Sequence, residues 1–499
     1  MAKPDPEPPF NPYDWMQLQT ALAARQQEVM RLLAEKSDQF KHYGMNHDPM
    51  ALQQSVIQYW MAAAAHPDRV VKAQMDLWQR YMNLCQQTAE RLQGKKTKTD
   101  TAENKPDRRF KDPRWSENPL FDHLRQSYLL TSDWMQAQVQ DIEKEDPVAA
   151  RKMRFAMRQY MDALSPSNFW MTNPEVLDEV IKTKGKNLLQ GFDNLIADLK
   201  SSKTLPMVSM VKKNMFKVGE NLATTKGAVV FQNDVLQVIQ YEALTKEVYK
   251  TPLVIVSPWI NKYYILDMQP ENSFVRWAVE QGHTVFITSW KNATKESHDK
   301  DWYDYMQQGL VAAIEAAQKA TGEEQINVIG YCIGGTLLTS ALAYWKAKNQ
   351  KSPVKSATFF TALIDFADSG ELQIFTDEPQ IAAIEKMMDT MGYLDAWHTH
   401  TTFNMLRAND LIWSFVVNNY LLGREPFPFD LLYWNSDSTR IPARLHSFYL
   451  RQMYLHNNLA KGKMMLSNTR LDVKAIDTPS YFISAIEDHI APWKATYNG

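Results

Sequence analysis

Apolar residues recur at three- and four-residue spacing in two runs near the start of the chain, Trp15 to Lys36 and Pro49 to Gln93. Both runs are rich in Ala, Gln, Leu and Met, so the pattern predicts amphipathic helices over residues 14–95. A polar, charged stretch from Gly94 to Arg109 (GKKTKTDTAENKPDRR) interrupts the pattern and reads as a solvated linker. Helical spacing resumes over residues 110–200. It breaks at Ser165-Pro166-Ser167 and at Asn173-Pro174, where Ser or Asn before proline starts a turn or a helix.

The texture changes near residue 226. Gly227 to Tyr241 (GAVVFQNDVLQVIQY) alternates in the manner of a hairpin, with Asn233-Asp234 as its turn. Short apolar runs follow at Leu253 to Ser257, Thr284 to Thr288, Ile326 to Gly330, Ala357 to Ile364 and Ser480 to Ser484. Helical segments lie between several of them, at 271–281, 302–321 and 334–349. Strand–helix alternation of this kind predicts a mostly parallel sheet with helices on both faces. A long aromatic insertion separates Asp365 from Thr478, where a lid or cap would sit. The expected division is a mainly helical domain over 1–225, with its linker at about 94–109, and an α/β domain over 226–499 with a cap at about 366–478.

Composition narrows the class. The formal net charge is −2, which argues against a protein built to neutralise nucleic-acid phosphates. The two cysteines, Cys85 and Cys332, lie far apart, so no disulfide framework is expected and a reducing cytoplasm is the simpler setting. The first residues (MAKPDPEPPFNPYDWM) carry no apolar signal core, and no apolar run is long enough for a membrane span. Abundant Trp and Met read as core filling.

Candidate chemistry concentrates at Gly330-Tyr331-Cys332-Ile333-Gly334-Gly335. The segment follows an expected strand and precedes an expected helix, the context of a G-x-nucleophile-x-G elbow with Cys in place of Ser. A tight strand-to-helix turn strains its central residue and crowds its flanks, hence the glycines. The following helix N-terminus should favour a thiolate, and the N–H of Ile333 is a candidate oxyanion donor. A free cysteine is more often a small buried hydrophobe. Cys85, in a helical run without glycines (YMNLCQQ), takes that bland reading; the strand-turn-helix setting sets Cys332 apart.

GYCIGGTLL at 330–338 resembles the nucleophile box of class I polyhydroxyalkanoate (poly-3-hydroxybutyrate) synthases. Further segments are similar to the same family: DRRFKDPRWSENPLFDHLRQSYLL from Asp107, LSPSNFWMTNPE from Leu164, TPLVIVSPWINKYYILDMQP from Thr251, FDLLYWNSDST from Phe429 and EDHIAPW from Glu487. The likeness covers roughly residues 105–499, and Ile333 fits the class I pattern. It implies an α/β-hydrolase-type fold and a cytoplasmic, granule-associated acyltransferase. Its substrate would be short-chain (R)-3-hydroxyacyl-CoA, polymerised with release of CoA through an acyl group held on Cys332. No cofactor or metal is implied, since the CoA thioester is the substrate. The implied partners are that substrate, the growing polyester granule and a second copy of the chain.

The hydrolase order of nucleophile, acid, histidine points to Asp488 as the acid, with Asp365 as its rival. The resemblance implies a histidine in a Gly-His-Ile box beyond the Asp segment. The 499 residues end before such a box, and His489 adjoins Asp488 too closely to substitute. The expectation is a C-terminally truncated form with little or no polymerising turnover. His398 and His400 (WHTHTT) form too sparse a pair for a metal site. The second oxyanion donor is expected at the backbone N–H of Trp259, after an early strand. Trp434, Asp437 and Tyr331 are expected to shape the pocket. Two rival readings stay open: a thioesterase or hydrolase using the same elbow, and an inactive granule-associated scaffold.

Overall fold

A computed structural model describes residues 12–42, 67–95, 107–139, 143, 146–202, 208–212 and 214–499. Residues 96–106 of the expected linker, and 49–66 of the second helical run, lie outside the described residues. The chain groups into two units. One joins Met1–Lys212 to Asn404–Phe427, and the other joins Lys213–Phe403 to Pro428–Gly499.

The first unit is helical. Helices α1 (Pro12–His42), α2 (Pro67–Leu92), α3 (Pro119–Ala137), α4 (Pro147–Ala163) and α5 (Lys186–Ser201) carry most of it. Starts follow local chemistry. The Asn118 side chain accepts from the N–H groups of Leu120 and Phe121, with Pro119 in the first turn of α3. Asn173 does the same before Pro174. Helix α2 runs antiparallel to α3: Trp134 donates to the Ala73 carbonyl at 3.1 Å, Tyr81 to that of Ser127 at 3.0 Å, and Arg91 pairs with Asp122. Phe110, Trp115, Tyr128 and Met161 form a core over which Arg109 reaches Asp107, Tyr128 and Asp162.

Two expectations change here. Residues 404–427, expected in the cap, group with this helical unit. Gly191 explains much of it, since a Cβ there would lie 1.8 Å from the Tyr420 carbonyl oxygen. Tyr420 also donates to Asp198 at 2.8 Å, Asn187 to the Leu421 carbonyl at 2.8 Å, and Asn409 to Asp162 at 2.8 Å. Cys85, expected to pack, is exposed on α2. Its helix face is not the one that meets α3.

The second unit is built on a seven-stranded sheet. Its strands are β1 (Gly227–Gln232), β2 (Leu236–Tyr241), β3 (Leu253–Val256), β4 (Val285–Trp290), β5 (Ile326–Tyr331), β6 (Val354–Phe360) and β7 (Ser480–Ile483). Their order is β1-β2-β4-β3-β5-β6-β7. The β1–β2 and β2–β4 pairs are antiparallel and the rest parallel. Asn233 makes the hairpin turn, accepting from the N–H groups of Val235 and Leu236. Alternate residues of the central strands feed two cores. Val254, Val256, Phe286 and Val328 face one side, and Leu253, Ile255, Ile287 and Ile329 the other.

The chain winds from β3 to β4 on one side, then crosses back to β5 on the other. The carboxyl ends of β3 and β5 therefore form the switch point where open α/β sheets place their ligands. Trp302 braces this region. It is fully buried, stacks on Tyr449 (5.7 Å, 11°) and donates to Ser340 Oγ at 3.1 Å. Trp302→Ala is expected to cost about 3–5 kcal/mol through the cavity it leaves. Urea unfolding of the purified chain checks this.

Candidate active site

Strand β5 ends at Tyr331 and helix α6 (Ile333–Ala347) begins at Ile333, so Cys332 alone makes the turn. Its φ of 53° and ψ of −124° lie where L residues seldom go. Glycines admit the bend. A Cβ on Gly330 would lie 2.4 Å from Gly335 Cα, and one on Gly334 2.3 Å from the Val256 carbonyl oxygen. One on Gly335 would lie 2.5 Å from the Ala362 Cβ. The turn closes through the Cys332 N–H to the Phe360 carbonyl and the Gly335 N–H to the Cys332 carbonyl, both 2.9 Å.

The Ile333 N–H lies near enough to the sulfur to favour its charged form, on the side where an oxyanion donor belongs. It does not make the thiol acidic. Burial pushes the Cys332 thiol up to about 11, the Asp488 charge pushes the same way, and the Ile333 N–H only partly opposes them. The thiolate expected from the helix N-terminus is thus overruled by desolvation.

Asp488 sits in the loop after β7, its Oδ1 accepting from the N–H groups of Ile490 and Ala491, both at 2.9 Å. Its charge is felt at Cys332 and at Tyr331, whose hydroxyl is pushed up by burial first and then by these two neighbours. Cys332, Ile333, Tyr331 and Asp488 therefore share one site. The rival Asp365 is occupied otherwise: its Oδ1 accepts from Ala367 N–H at 2.9 Å and from Asn457 at 2.6 Å.

The remaining expected residues serve the loop after β3. The Trp259 ring packs edge-on against Trp290, Trp302 and Tyr305, at 5.3, 5.5 and 5.1 Å, and its carbonyl accepts from the Thr439 hydroxyl. Trp434 donates to the Lys262 carbonyl at 2.7 Å, and Tyr264 donates to Asp437 at 2.9 Å. These bonds fasten the 429–439 segment to residues 259–264 and do not join Trp434 or Asp437 to the sulfur.

Two site residues escape a sequence reading. Tyr449 is buried and Tyr454 half-buried, with rings 5.3 Å apart, and both feel the Cys332 charge. They stand five apart, a spacing that ordinary helical periodicity scatters around the axis. A π-helical stretch at Leu450–Leu455 brings them together. Periodicity carries no mark of such a stretch.

A cysteine raised on a nucleophile elbow at the carboxyl rim of this sheet defines a protein of the α/β-hydrolase class. The alpha/beta hydrolase fold profile matches residues 257–499, and the profile described as Poly-beta-hydroxybutyrate polymerase (PhaC) N-terminus matches residues 106–278. The Poly(3-hydroxyalkanoate) polymerase subunit PhaC of Rhizobium meliloti is 43% identical over 469 residues, 94% of this chain and 76% of that protein. The Poly(3-hydroxyalkanoate) polymerase of Methylorubrum extorquens is 46% identical, over 87% of this chain and 71% of its own length. The PhaC subunit of Cupriavidus necator is 40% identical, over 86% and 73%. The chain belongs to the poly(3-hydroxyalkanoate) polymerase family and is an enzyme.

Alkylation of Cys332 in a Cys85→Ser background is expected to rise with pH along a curve centred near 11, not near the ordinary thiol value. Asp488→Asn removes a negative charge beside the sulfur, so the curve should move to lower pH. A midpoint that stays put on that substitution contradicts the geometry. Gly334→Ala drives a methyl into the Val256 carbonyl, and is expected to destabilise the domain by about 3 kcal/mol or more or to leave the protein insoluble. Thermal unfolding of the soluble fraction measures it.

Proposed function

We propose that this chain polymerises (R)-3-hydroxyacyl-CoA into polyester, carrying the acyl group on Cys332. The observation behind this reading is the strained cysteine at the elbow between β5 and α6, with the Asp488 carboxylate within electrostatic reach. The sulfur, giving up its proton to a base, attacks the acyl thioester carbonyl. The oxygen gains charge at the Ile333 N–H, with the Trp259 N–H as second donor. The carbon–sulfur bond to CoA breaks, and CoA leaves as a thiol once protonated. The hydroxyl of another acyl unit then attacks the Cys332 thioester, an ester forms and the thiol returns. Exchange between two thioesters is nearly balanced, which suits a carrier that loads and unloads repeatedly.

Tyr331, Trp434 and Asp437 shape the pocket in this reading, the last two through the loop they hold. The favoured acyl unit is short, as the likeness around Ile333 suggests. The growing granule surface and a second copy of the chain are the partners. Among the described residues no helix is long and apolar enough to cross a membrane.

Single-turnover mixing with 3-hydroxybutyryl-CoA should release CoA and leave an acyl mass on the Cys332 peptide. Cys332→Ala should abolish both, and Asp488→Asn should slow the turnover by about 10²–10⁴-fold. Free hydroxy acid in place of bound acyl or polyester would favour a hydrolase instead.

A further inference from the structure

Strand β6 ends at Phe360, and the residue after it is strained: Thr361 has a φ of 42°. A branched Cβ fits that region poorly, and glycine or asparagine is the residue expected there. The surroundings hold it in place. The Thr361 N–H donates to the Ile483 carbonyl at 2.8 Å, the Phe360 carbonyl accepts from the Cys332 N–H at 2.9 Å, and Ala362 closes on Gly335. Thr361 is thus pinned between the elbow and the end of β7, the strand that leads to Asp488. Strain of this kind collects at positions where a side chain has work to do on a ligand.

What that side chain offers is a hydroxyl. Neighbouring hydroxyls are engaged within the fold: Thr336 donates to the Leu363 carbonyl at 2.7 Å, Ser340 to that of Thr336 at 2.9 Å and Thr339 to that of Gly335 at 3.0 Å. Thr361 is half-buried, and its hydroxyl makes no hydrogen bond among the described residues. Tyr331 and Phe360 face each other in the β5–β6 ladder, so Cys332 and Thr361 follow them side by side. Neighbouring strands stand about 4.8 Å apart. In an acyl group carried on Cys332, a chain of three carbons separates the 3-hydroxyl oxygen from the sulfur, a reach of the same order. A threonine hydroxyl both donates and accepts, so it can meet an alcohol in either sense. A plain acyl chain would give it no partner.

We propose that Thr361 is a specificity-determining residue whose hydroxyl binds the 3-hydroxyl of the acyl unit on Cys332. The proposal rests on the reading of Cys332 as acyl carrier and adds how 3-hydroxyacyl units are told from plain ones.

Single-turnover acylation of the full chain by (R)-3-hydroxybutyryl-CoA and by butyryl-CoA tests it, read as CoA release and as the mass of the Cys332 peptide. The wild-type chain should favour the hydroxylated thioester by about 10-fold or more. Thr361→Val should cut that ratio by about 10-fold, and Thr361→Ser should keep it within about twofold. Thr361→Gly takes up this backbone without strain, so it guards against a misfolded Val variant, and it should lose the preference as Val does. A purely structural role would slow both thioesters alike; a ratio unmoved by Val and Gly overturns the proposal. A wild-type chain that takes both thioesters at one rate overturns it too. If neither thioester acylates Cys332, the carrier reading itself fails and the proposal goes with it.

Discussion

The backbone at Cys332 sets the terms for everything around it. A residue with φ of 53° costs conformational energy of about 1–3 kcal/mol and survives only where its surroundings leave no alternative. Here the surroundings are backbone. Gly334 lies against the Val256 carbonyl at the end of β3, Gly335 against Ala362 after β6, and the Cys332 N–H is held by Phe360 at the end of β6. The two strands that flank β5 therefore define the bend. The aromatic packing of Trp259, Trp290, Trp302 and Tyr305 fixes the loop that leaves β3. A change in any of these reaches the sulfur without touching it.

Much of this was legible in the residues, for reasons that differ between elements. The strands announced themselves because parallel strands buried on both faces are short unbroken apolar runs, and the elbow because only glycines fit its flanks. Asp488 is suggested by its order along the chain, and its charge reaches Cys332. The thiol is an exception, since the helix N-terminus favours a thiolate and burial opposes it. A helix N-terminus is visible in sequence, whereas the burial that outweighs it belongs to the assembled fold. Tyr449 and Tyr454 were missed because a π-helical turn breaks the periodicity on which pattern reading rests. The grouping of 404–427 with the helical unit leaves little trace in sequence, because Gly191, which lets Tyr420 approach, is indistinguishable there from any helical glycine.

The helical unit shows the same division between what pattern carries and what it cannot. Three- and four-residue spacing located α2 but did not say that its apolar arc is wider than one neighbour can cover. For Cys85 the helical run without glycines points to packing, as for most free cysteines. The register decides otherwise, since residues 77, 81, 84 and 88 meet α3 while 78, 82, 85 and 89 do not. A single step of 100° separates a core position from a bare one.

The electrostatics at the sulfur restrict what Asp488 can do. With its thiol pushed up to about 11, Cys332 rests in the protonated form at neutral pH. A carboxylate beside it makes the thiolate scarcer still, so Asp488 does not activate the sulfur through its charge. Its useful direction is toward a cation: the same negative potential that disfavours a thiolate stabilises a base that has just taken the sulfur's proton. In the proposed reaction a base would have to meet both the sulfur and the carboxylate, and the proton would move as the sulfur attacks. A half-buried, protonated cysteine has a matching advantage, since it is slow to oxidise or alkylate.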